Sequence, residues 1–213
     1  MAKLLDGIRT VFFDLGDTLA YSTHTPLEIW LAAASDQDIR LRKDALLRAM
    51  TEADQAYNPR FYEFKGRIEE YWRLYDQHVI SSLGLADKGK GLSQAVEIAF
   101  LDTKRWMAPF PETHFVLTAL RQKGLDLGII SNNTDEMPDR MNDLDLLKYF
   151  RTVTYSQEAG AEKPAPEPFR LALKRTGRKP EQCIHVGNSL EQDVAGARGV
   201  GIAPVLLDRE GKH

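Results

Sequence analysis

Five polar side chains in this sequence come after short apolar runs, and together they carry the groups that phosphoryl chemistry uses. Asp14 follows IRTVFF, Ser131 follows LDLGII, Lys163 comes after TVTY and a polar segment, and Asn188 and Asp193 follow CIHV. A carboxylate can attack phosphorus and form a covalent acyl phosphate. A hydroxyl can donate to a phosphoryl oxygen, and an ammonium can neutralise one. If these groups meet in the fold, they form a site for phosphoryl transfer, with oxygen ligands that suit Mg²⁺.

The elements that would position these groups are short strands that alternate with helices. Such alternation predicts a three-layer α/β fold, in which helices cover both faces of a parallel sheet of about five strands. Ligands bind beyond the carboxyl ends of the strands in such sheets, so the polar groups are expected at one edge. The predicted strands span 8–13, 125–130, 152–155, 183–186 and 203–207, and the predicted helices span 112–123, 137–147, 168–176 and 190–198.

The interval between the first two strands is too long for the sheet. One crossover helix is enough, so about 90 residues over 20–107 are expected to fold as an insert, because long structureless loops are uncommon in compact domains. Residues 1–19 and 108–213 would then form the core. Apolar spacing predicts helices at 38–57 and 61–83 and, more loosely, at 92–106. Aromatic residues at helical spacing are more typical of a core than of a binding site. In the insert they are Tyr57, Phe61, Tyr62, Phe64, Tyr71, Trp72 and Tyr75.

The composition argues against several classes of function. The 213 residues include 28 Lys and Arg against 31 Asp and Glu, a net charge of −3, so no basic excess indicates a nucleic acid or a membrane surface as a partner. Cys183 is the only cysteine, which excludes a disulfide framework, and its place in a predicted strand favours an inert core thiol. The sequence has no signal-like start and no run near the roughly 20 apolar residues of a membrane span, so a cytoplasmic protein is expected.

Four motifs along the chain occur in the order that one enzyme superfamily uses. They are DLGDT over 14–18, Ser131, Lys163 followed by proline, and GNSLEQD over 187–193. Each motif alone has an ordinary alternative in a turn or a helix cap; Asn188, for example, could help to cap the next helix. In this order, and with the flanking text EKPAPEPFRLAL, they resemble the haloacid dehalogenase-like (HAD) hydrolase superfamily over nearly the whole chain. The insert lies where that superfamily places its helical cap.

The resemblance implies a Rossmann-like core with an inserted all-helical cap and the Mg²⁺-dependent hydrolysis of a small phosphorylated metabolite. Asp14 would be the nucleophile and would form an aspartyl phosphate, while Ser131 and Lys163 would be the other catalytic residues. The phosphate-binding groups would be Leu15, Gly16, Ser131, Asn132 and Lys163. The metal site would consist of Asp14, the carbonyl of Gly16, Asn188 and, as its outer partner, Asp193.

Two positions depart from the superfamily pattern. Gly16 replaces the aspartate that acts as general acid and base, a contribution of about 10²–10⁴-fold in rate. Asp17 is adjacent, but neighbouring positions of an extended segment face opposite ways, so it is not expected to replace the missing acid. Asn188 stands where an aspartate is usual, so Mg²⁺ is expected to bind more weakly, because ligand charge tunes affinity for hard cations. Turnover is therefore expected to be slow unless the leaving group is good.

Two alternatives to a phosphatase follow from these departures. A phosphometabolite-binding protein with impaired catalysis would retain the site without its acids. A 2-haloacid dehalogenase also lacks the second aspartate, but the tyrosine and asparagine of that subgroup fall on Phe169 and Leu190 here. Phosphonate cleavage is less favoured again, since it needs a lysine in the cap that we cannot identify.

Three residues of the predicted cap are candidates for substrate contact. His24 comes shortly after the first motif, and Arg60 and Lys65 could meet an anionic substrate. His114 and His185 are expected to be structural, because neither ends a strand at the ligand edge.

Overall fold

The computed structural model of the chain describes residues 5–64, 67–86, 89–209 and 211. The chain forms two compact units. One unit, the core unit, joins Met1–Ser22 to Met107–His213, and the other, the helical insert, spans Thr23–Trp106. Within the described ranges, no helix is both long enough and apolar enough to cross a bilayer.

The sheet of the core unit is parallel and has five strands. The strands of the chain are β1 (Thr10–Phe13), β2 (Ala20–Ser22), β3 (Met107–Pro109), β4 (Asp126–Ser131), β5 (Thr152–Tyr155), β6 (Cys183–Gly187) and β7 (Ala203–Leu206). The sheet has the order β5-β4-β1-β6-β7, and each neighbouring pair is parallel. All four residues of β1 are buried, as expected for a central strand that is covered on both faces.

Helices pack on both faces of this sheet. The α-helices of the chain are α1 (Pro26–Asp36), α2 (Lys43–Tyr57), α3 (Ile68–Ser82), α4 (Gly89–Leu101), α5 (Thr103–Trp106), α6 (Thr113–Gln122), α7 (Met137–Asp143), α8 (Ser156–Ala159), α9 (Pro166–Thr176) and α10 (Gly196–Gly199). Leu117 of α6 and Met141 of α7 join one hydrophobic cluster with β1, and Phe169 of α9 and Ala197 of α10 join another. The three layers confirm the predicted α/β fold.

The five predicted strands are all present, with small shifts at their ends, but several predicted helices differ. The helix expected over 137–147 ends at Asp143, because Asp145 adopts a left-handed conformation with φ of 56°. The helix expected over 190–198 is a π-helix, Leu190–Ala195, followed by α10. The sequence also gave no indication of the separate antiparallel pair of β2 and β3.

The helical insert contains one helix that the apolar spacing did not predict. The Thr25 side chain accepts a hydrogen bond from the Glu28 backbone, and Glu28 accepts one from the Thr25 backbone, so a capping box starts α1. The helix expected over 38–57 begins only at Lys43, after a left-handed Asp38 with φ of 56°. The helix expected over 61–83 is divided into a 3₁₀ segment, Asn58–Phe64, and α3.

The aromatic residues of the insert mostly form its core, as predicted. Phe64, Tyr71 and Tyr75 are buried in the hydrophobic cluster of the insert, and Tyr57 packs against it. Trp72 is the exception, with half of its surface exposed. Phe61 and Tyr62 have side chains outside the described part of the structure.

Candidate active site

Asp14 lies directly after β1, at the carboxyl edge of the sheet. Its backbone N–H donates to the carbonyl of Val186 at 2.9 Å, which continues the pairing of β1 with β6. The carboxylate is largely buried. The chain then turns sharply, because the carbonyl of Leu15 accepts hydrogen bonds from the N–H groups of Leu19 and Ala20. Asp14 is therefore held between a rigid central strand and a tight turn.

Lys163 reaches Asp14 from the loop between α8 and α9. Its Nζ lies 2.7 Å from Oδ1 of Asp14 and 2.6 Å from Oδ1 of Asp193, and the side chain is almost fully buried. Asn132 holds the backbone of this lysine: its Oδ1 accepts from the Lys163 N–H at 2.7 Å, and its Nδ2 donates to the Lys163 carbonyl at 3.2 Å. The side chain of Asn132 therefore positions the backbone of Lys163, and the phosphate contact of Asn132 stays a prediction.

Asp193 accepts hydrogen bonds on both carboxylate oxygens. Oδ1 accepts from Lys163 and lies 2.9 Å from Nε2 of His185, and Oδ2 accepts from the backbone N–H of Ser189 at 3.0 Å. A Cβ at Gly187 would lie 2.2 Å from Cγ of Asp193, so only glycine permits this approach. The glycine of the fourth motif is thus explained by the position of the aspartate side chain.

Burial acts in opposite directions on the pKa values of Asp193 and His185. Burial alone would raise the pKa of Asp193, but the hydrogen bond from His185 and the charge of Lys163 outweigh it and hold the pKa below its ordinary value. Burial lowers the pKa of His185, so its imidazole is neutral. Two acidic side chains, Asp14 and Asp193, contact the single side chain of Lys163 in this cluster.

The donor set expected for Mg²⁺ consists of oxygen atoms only. Asp14, the carbonyl of Gly16 and Asn188 follow β1 and β6, and Oδ1 of Asn188 accepts a long hydrogen bond of 3.4 Å from the Thr18 hydroxyl. In the described part of the chain, no three His, Cys, Asp or Glu side chains group as a metal site. A carboxylate, an amide and a carbonyl oxygen fit Mg²⁺, which retains several waters, and weak binding by a set with one charged ligand stays a prediction.

Gly16 and Asp17 form the open part of the site. Both residues are exposed, and a Cβ added at Gly16 would meet no heavy atom within 4 Å. Steric crowding therefore does not account for the missing acid. Asp17 adopts a left-handed conformation with φ of 54°, and its N–H donates to the carbonyl of Ala20 at 2.8 Å.

Ser131 lies at the carboxyl end of β4, the strand beside β1, and is buried. No hydrogen bond joins its hydroxyl to Asp14 or Lys163 among the described contacts. The structure therefore links Asp14, Lys163 and Asp193 by direct contacts, and it places Ser131 on the neighbouring strand.

The three candidates in the helical insert have local partners or lie outside the described residues. His24 shares a hydrogen bond of 2.9 Å with Thr23 and packs edge-on against Trp106. Arg60 forms an ion pair with Glu63 at 3.0 Å. Lys65 lies outside the described residues. Their roles in substrate contact stay predictions.

The other singled-out residues lie away from the carboxyl ends of the strands, but one of them, His185, contacts the cluster. His114 contacts Tyr149, and burial raises the pKa of the Cys183 thiol to about 11, which agrees with an inert core thiol. His185 is fully buried inside β6, but it contacts Asp193. A histidine within an apolar run was its only signal, and sequence reasoning assigned it a purely structural role.

Several known proteins are similar to this chain. Glyceraldehyde 3-phosphate phosphatase from Methanopyrus kandleri is 31% identical over 211 residues, which cover 97% of this chain and 86% of the relative. Phosphoserine phosphatase from Thermus thermophilus is 30% identical over 138 residues, or 64% of this chain and 54% of the relative.

Solved structures share the fold. YfnB from Bacillus subtilis, whose structure is bound to magnesium, superposes with a TM-score of 0.77 at 22% identity over 97% of this chain and 89% of that one. A 2-haloacid dehalogenase from Pseudomonas syringae does so with a TM-score of 0.64 at 27% identity over 97% and 89% of the two chains. The model of the haloacid dehalogenase-like hydrolase family matches residues 8–201. With the strand-end motifs in place on this fold, the chain belongs to the haloacid dehalogenase-like hydrolase family.

Proposed function

We propose that this protein is a Mg²⁺-dependent phosphatase that transfers the phosphoryl group of a small phosphorylated metabolite to Asp14 and then to water. The observation that carries the proposal is the ammonium of Lys163, which lies 2.7 Å from Oδ1 of Asp14 at the carboxyl edge of the sheet. The similarity to glyceraldehyde 3-phosphate phosphatases over nearly the whole chain supports a substrate of this class.

In the first step, a carboxylate oxygen of Asp14 attacks phosphorus, the bond to the leaving group breaks, and an aspartyl phosphate forms. Lys163 offsets the negative charge of the phosphoryl oxygens. The hydroxyl of Ser131 and the backbone N–H groups of Leu15 and Gly16 donate hydrogen bonds to those oxygens. When bound by Asp14, Gly16 and Asn188, Mg²⁺ supplies additional neutralisation of charge.

In the second step, water attacks phosphorus, the bond between phosphorus and the Asp14 oxygen breaks, and the free carboxylate returns while inorganic phosphate leaves with the two hydrogens of the water. No carboxylate at position 16 protonates the leaving group in the first step or activates water in the second. The enzyme therefore prefers leaving groups that depart without a proton, such as the carboxylate of an acyl phosphate. A rate that does not depend on the pKa of the leaving group would contradict this preference and indicate another acid.

A binding protein without turnover is the second candidate, and Gly16 and Asn188 are the observations that favour it. The buried cluster argues against it. The carboxylate of Asp14 lies beside the ammonium of Lys163, where it would repel a phosphate anion, and a protein that only binds that anion has no use for a carboxylate at this point.

A 2-haloacid dehalogenase is less favoured. Phe169, at the position of that subgroup's tyrosine, has no hydroxyl and is fully buried against His185 at a ring separation of 5.3 Å. Leu190, at the position of its asparagine, is half exposed and has no amide to offer.

Phosphate release tests the proposal. Acetyl phosphate and p-nitrophenyl phosphate are incubated with the protein in the presence of Mg²⁺ and again with a chelator. Release that depends on Mg²⁺, is lost in Asp14→Asn and is retained in Asp17→Asn supports the proposal, since Asp17 is an exposed aspartate of the same turn. If no phosphate is released from either substrate but a 2-haloacid is turned over, the protein is a dehalogenase. If no phosphate is released and a phosphate mimic only binds tightly, it is a binding protein.

A further inference from the structure

The middle of β6 contains a buried histidine with one polar side-chain contact among the residues that the structure describes. His185 has no exposed surface, and its Nε2 lies 2.9 Å from Oδ1 of Asp193. The ring of Phe169 packs edge-on against the imidazole at 5.3 Å. The other ring nitrogen, Nδ1, is buried and has no hydrogen-bond partner in the described part of the chain.

The protonation of this imidazole follows from its surroundings. The ring is fully buried and its Nδ1 has no acceptor in the described part of the chain, which favours an uncharged ring with one N–H group. The carboxylate of Asp193 can only accept, so the hydrogen lies on Nε2 and is donated to Asp193. Nδ1 then carries the lone pair that lacks a partner.

An apolar side chain at this position would avoid the cost of a buried, unsatisfied nitrogen. The histidine therefore carries a penalty that only the bond to Asp193 offsets. That bond ends on the same oxygen that accepts from Nζ of Lys163 at 2.6 Å. The N–H of Ser189 holds the other oxygen, so the carboxylate is fixed at both ends.

We propose that His185 is a positioning residue for the phosphatase reaction: its Nε2–H orients the carboxylate of Asp193, which in turn holds the ammonium of Lys163 beside Asp14. The inference rests on the proposed function. Lysine has a flexible side chain with freely rotating donors, so its position depends on the groups that surround the ammonium. Without the His185 bond, Oδ1 of Asp193 keeps only Lys163, and the carboxylate can rotate away from the arrangement that aims Nζ at Asp14.

Two substitutions separate positioning from packing. His185→Phe fills the site but removes the donor, whereas His185→Gln keeps an N–H donor on a side chain of similar reach. With acetyl phosphate, kcat is expected to fall roughly 10- to 100-fold in His185→Phe, as for other residues that orient active-site groups, with little change in KM. His185→Gln is expected to recover most of that loss. The matched pair His114→Phe and His114→Gln, at a partly buried histidine that contacts Tyr149, is expected to leave kcat unchanged.

Rates are compared per folded molecule, with the folded fraction taken from near-UV circular dichroism. Equal losses in His185→Phe and His185→Gln, or a wild-type kcat in His185→Phe, would overturn the inference.

The tautomer of His185 gives a readout that needs no activity. Long-range nitrogen–proton correlation in histidine-labelled wild-type protein is expected to show a neutral ring with its proton on Nε2. A proton on Nδ1 would overturn the inference. Wild-type protein that releases no phosphate would overturn the proposed function instead, and the tautomer would still decide whether the bond between His185 and Asp193 exists.

Discussion

Two buried aspartates, one in each unit of the chain, have opposite electrostatic surroundings. In the core unit, Asp193 accepts from Lys163, His185 and a backbone N–H, and its pKa lies below the ordinary value despite burial. In the helical insert, Asp76 accepts from the hydroxyl of Ser93 at 3.1 Å, and burial raises its pKa to about 7.

The two surroundings show where this fold stabilises an ionised carboxyl group in its interior. Desolvation acts on both carboxyl groups, but only at the sheet edge do an ammonium and a neutral imidazole overcome it. Near Asp76 the charge of Glu97 acts in the same direction as burial. Among the described residues, the ion pairs between buried side chains lie in the cluster of Asp14, Lys163 and Asp193, whereas burial at Asp76 in the insert favours a neutral acid.

A third carboxyl group in an open environment extends the comparison, and it has the largest expected effect. Gly16→Asp introduces a carboxyl group at an exposed position where no heavy atom lies within 4 Å of the added Cβ, so the side chain fits without displacing a neighbour. It would supply the missing acid, and hydrolysis of alkyl phosphate monoesters is expected to rise by about 10²–10⁴-fold. Steady-state rates for an alkyl phosphate and for acetyl phosphate measure this.

Acetyl phosphate should gain much less in Gly16→Asp, because its leaving group needs no proton. Gly199→Asp, at another exposed glycine of the core unit with open space around it, serves as the control. Equal gains for both substrates would show that the new carboxylate acts through metal binding or charge rather than as an acid.

Removal of the Lys163 ammonium should make the electrostatic surroundings of Asp193 similar to those of Asp76. Lys163→Met leaves the carboxylates of Asp14 and Asp193 without their common cation. The free energy of unfolding is expected to fall by about 3–5 kcal/mol, as when one partner of a buried ion pair is removed, and phosphate release should be lost. Urea denaturation measures the change. Lys148→Met, which removes an exposed lysine paired with Asp145, should have little effect. Equal free energies of unfolding for Lys163→Met and Lys148→Met would contradict the buried pairing.

Displacement of Asp193 without a change in any charge is a smaller perturbation. Gly187→Ala places a Cβ where the Asp193 carboxylate lies, so that side chain must move away from His185 and Lys163. Such overpacking is expected to cost about 1–3 kcal/mol and to reduce kcat. Thermal unfolding and acetyl phosphate hydrolysis report the two effects, and Gly199→Ala is the control. A normal kcat would show that the position of Asp193 does not matter to the reaction.

The smallest expected effect concerns Asp76 and depends on pH. Because its folded-state pKa is raised to about 7 above the ordinary 3.8, the protonated acid stabilises the fold at low pH, and this contribution is lost as the pH rises from about 4 through 7. Asp76→Asn remains neutral throughout, so its thermal midpoint should exceed that of the wild type more at pH 8 than at pH 5. Asp36→Asn, which changes an exposed aspartate paired with Arg105, is the control. If the difference in thermal midpoint between Asp76→Asn and the wild type is the same at pH 5 and pH 8, Asp76 is not a neutral buried acid.

The sequence predicted the sheet well because buried parallel strands appear as short apolar runs, and strand ends converge at one edge. The contact of Lys163 with Asp14 and Asp193 follows that logic, although it joins residues that are distant in the chain. Helix boundaries in the insert were less predictable, because the left-handed turn at Asp38 interrupts an amphipathic pattern that continues through it.

The contact of His185 with Asp193 could not be predicted from the sequence, for a geometric reason. Position along β6 indicated only a buried side chain, whereas its partner Asp193 approaches through a π-helix and against a glycine. A threonine and a glutamate three residues apart mark the start of α1 in the sequence, a signal that apolar spacing does not detect.

Trapping of the aspartyl phosphate shows whether Asp14 carries the phosphoryl group during turnover. The protein is mixed with radiolabelled acetyl phosphate and Mg²⁺, quenched in acid within milliseconds and digested. We expect label on the peptide that contains Asp14, no label in Asp14→Asn, and retained label in Asp17→Asn. Phosphate release by the wild type without any labelled protein, or label that persists in Asp14→Asn, would contradict that role of Asp14.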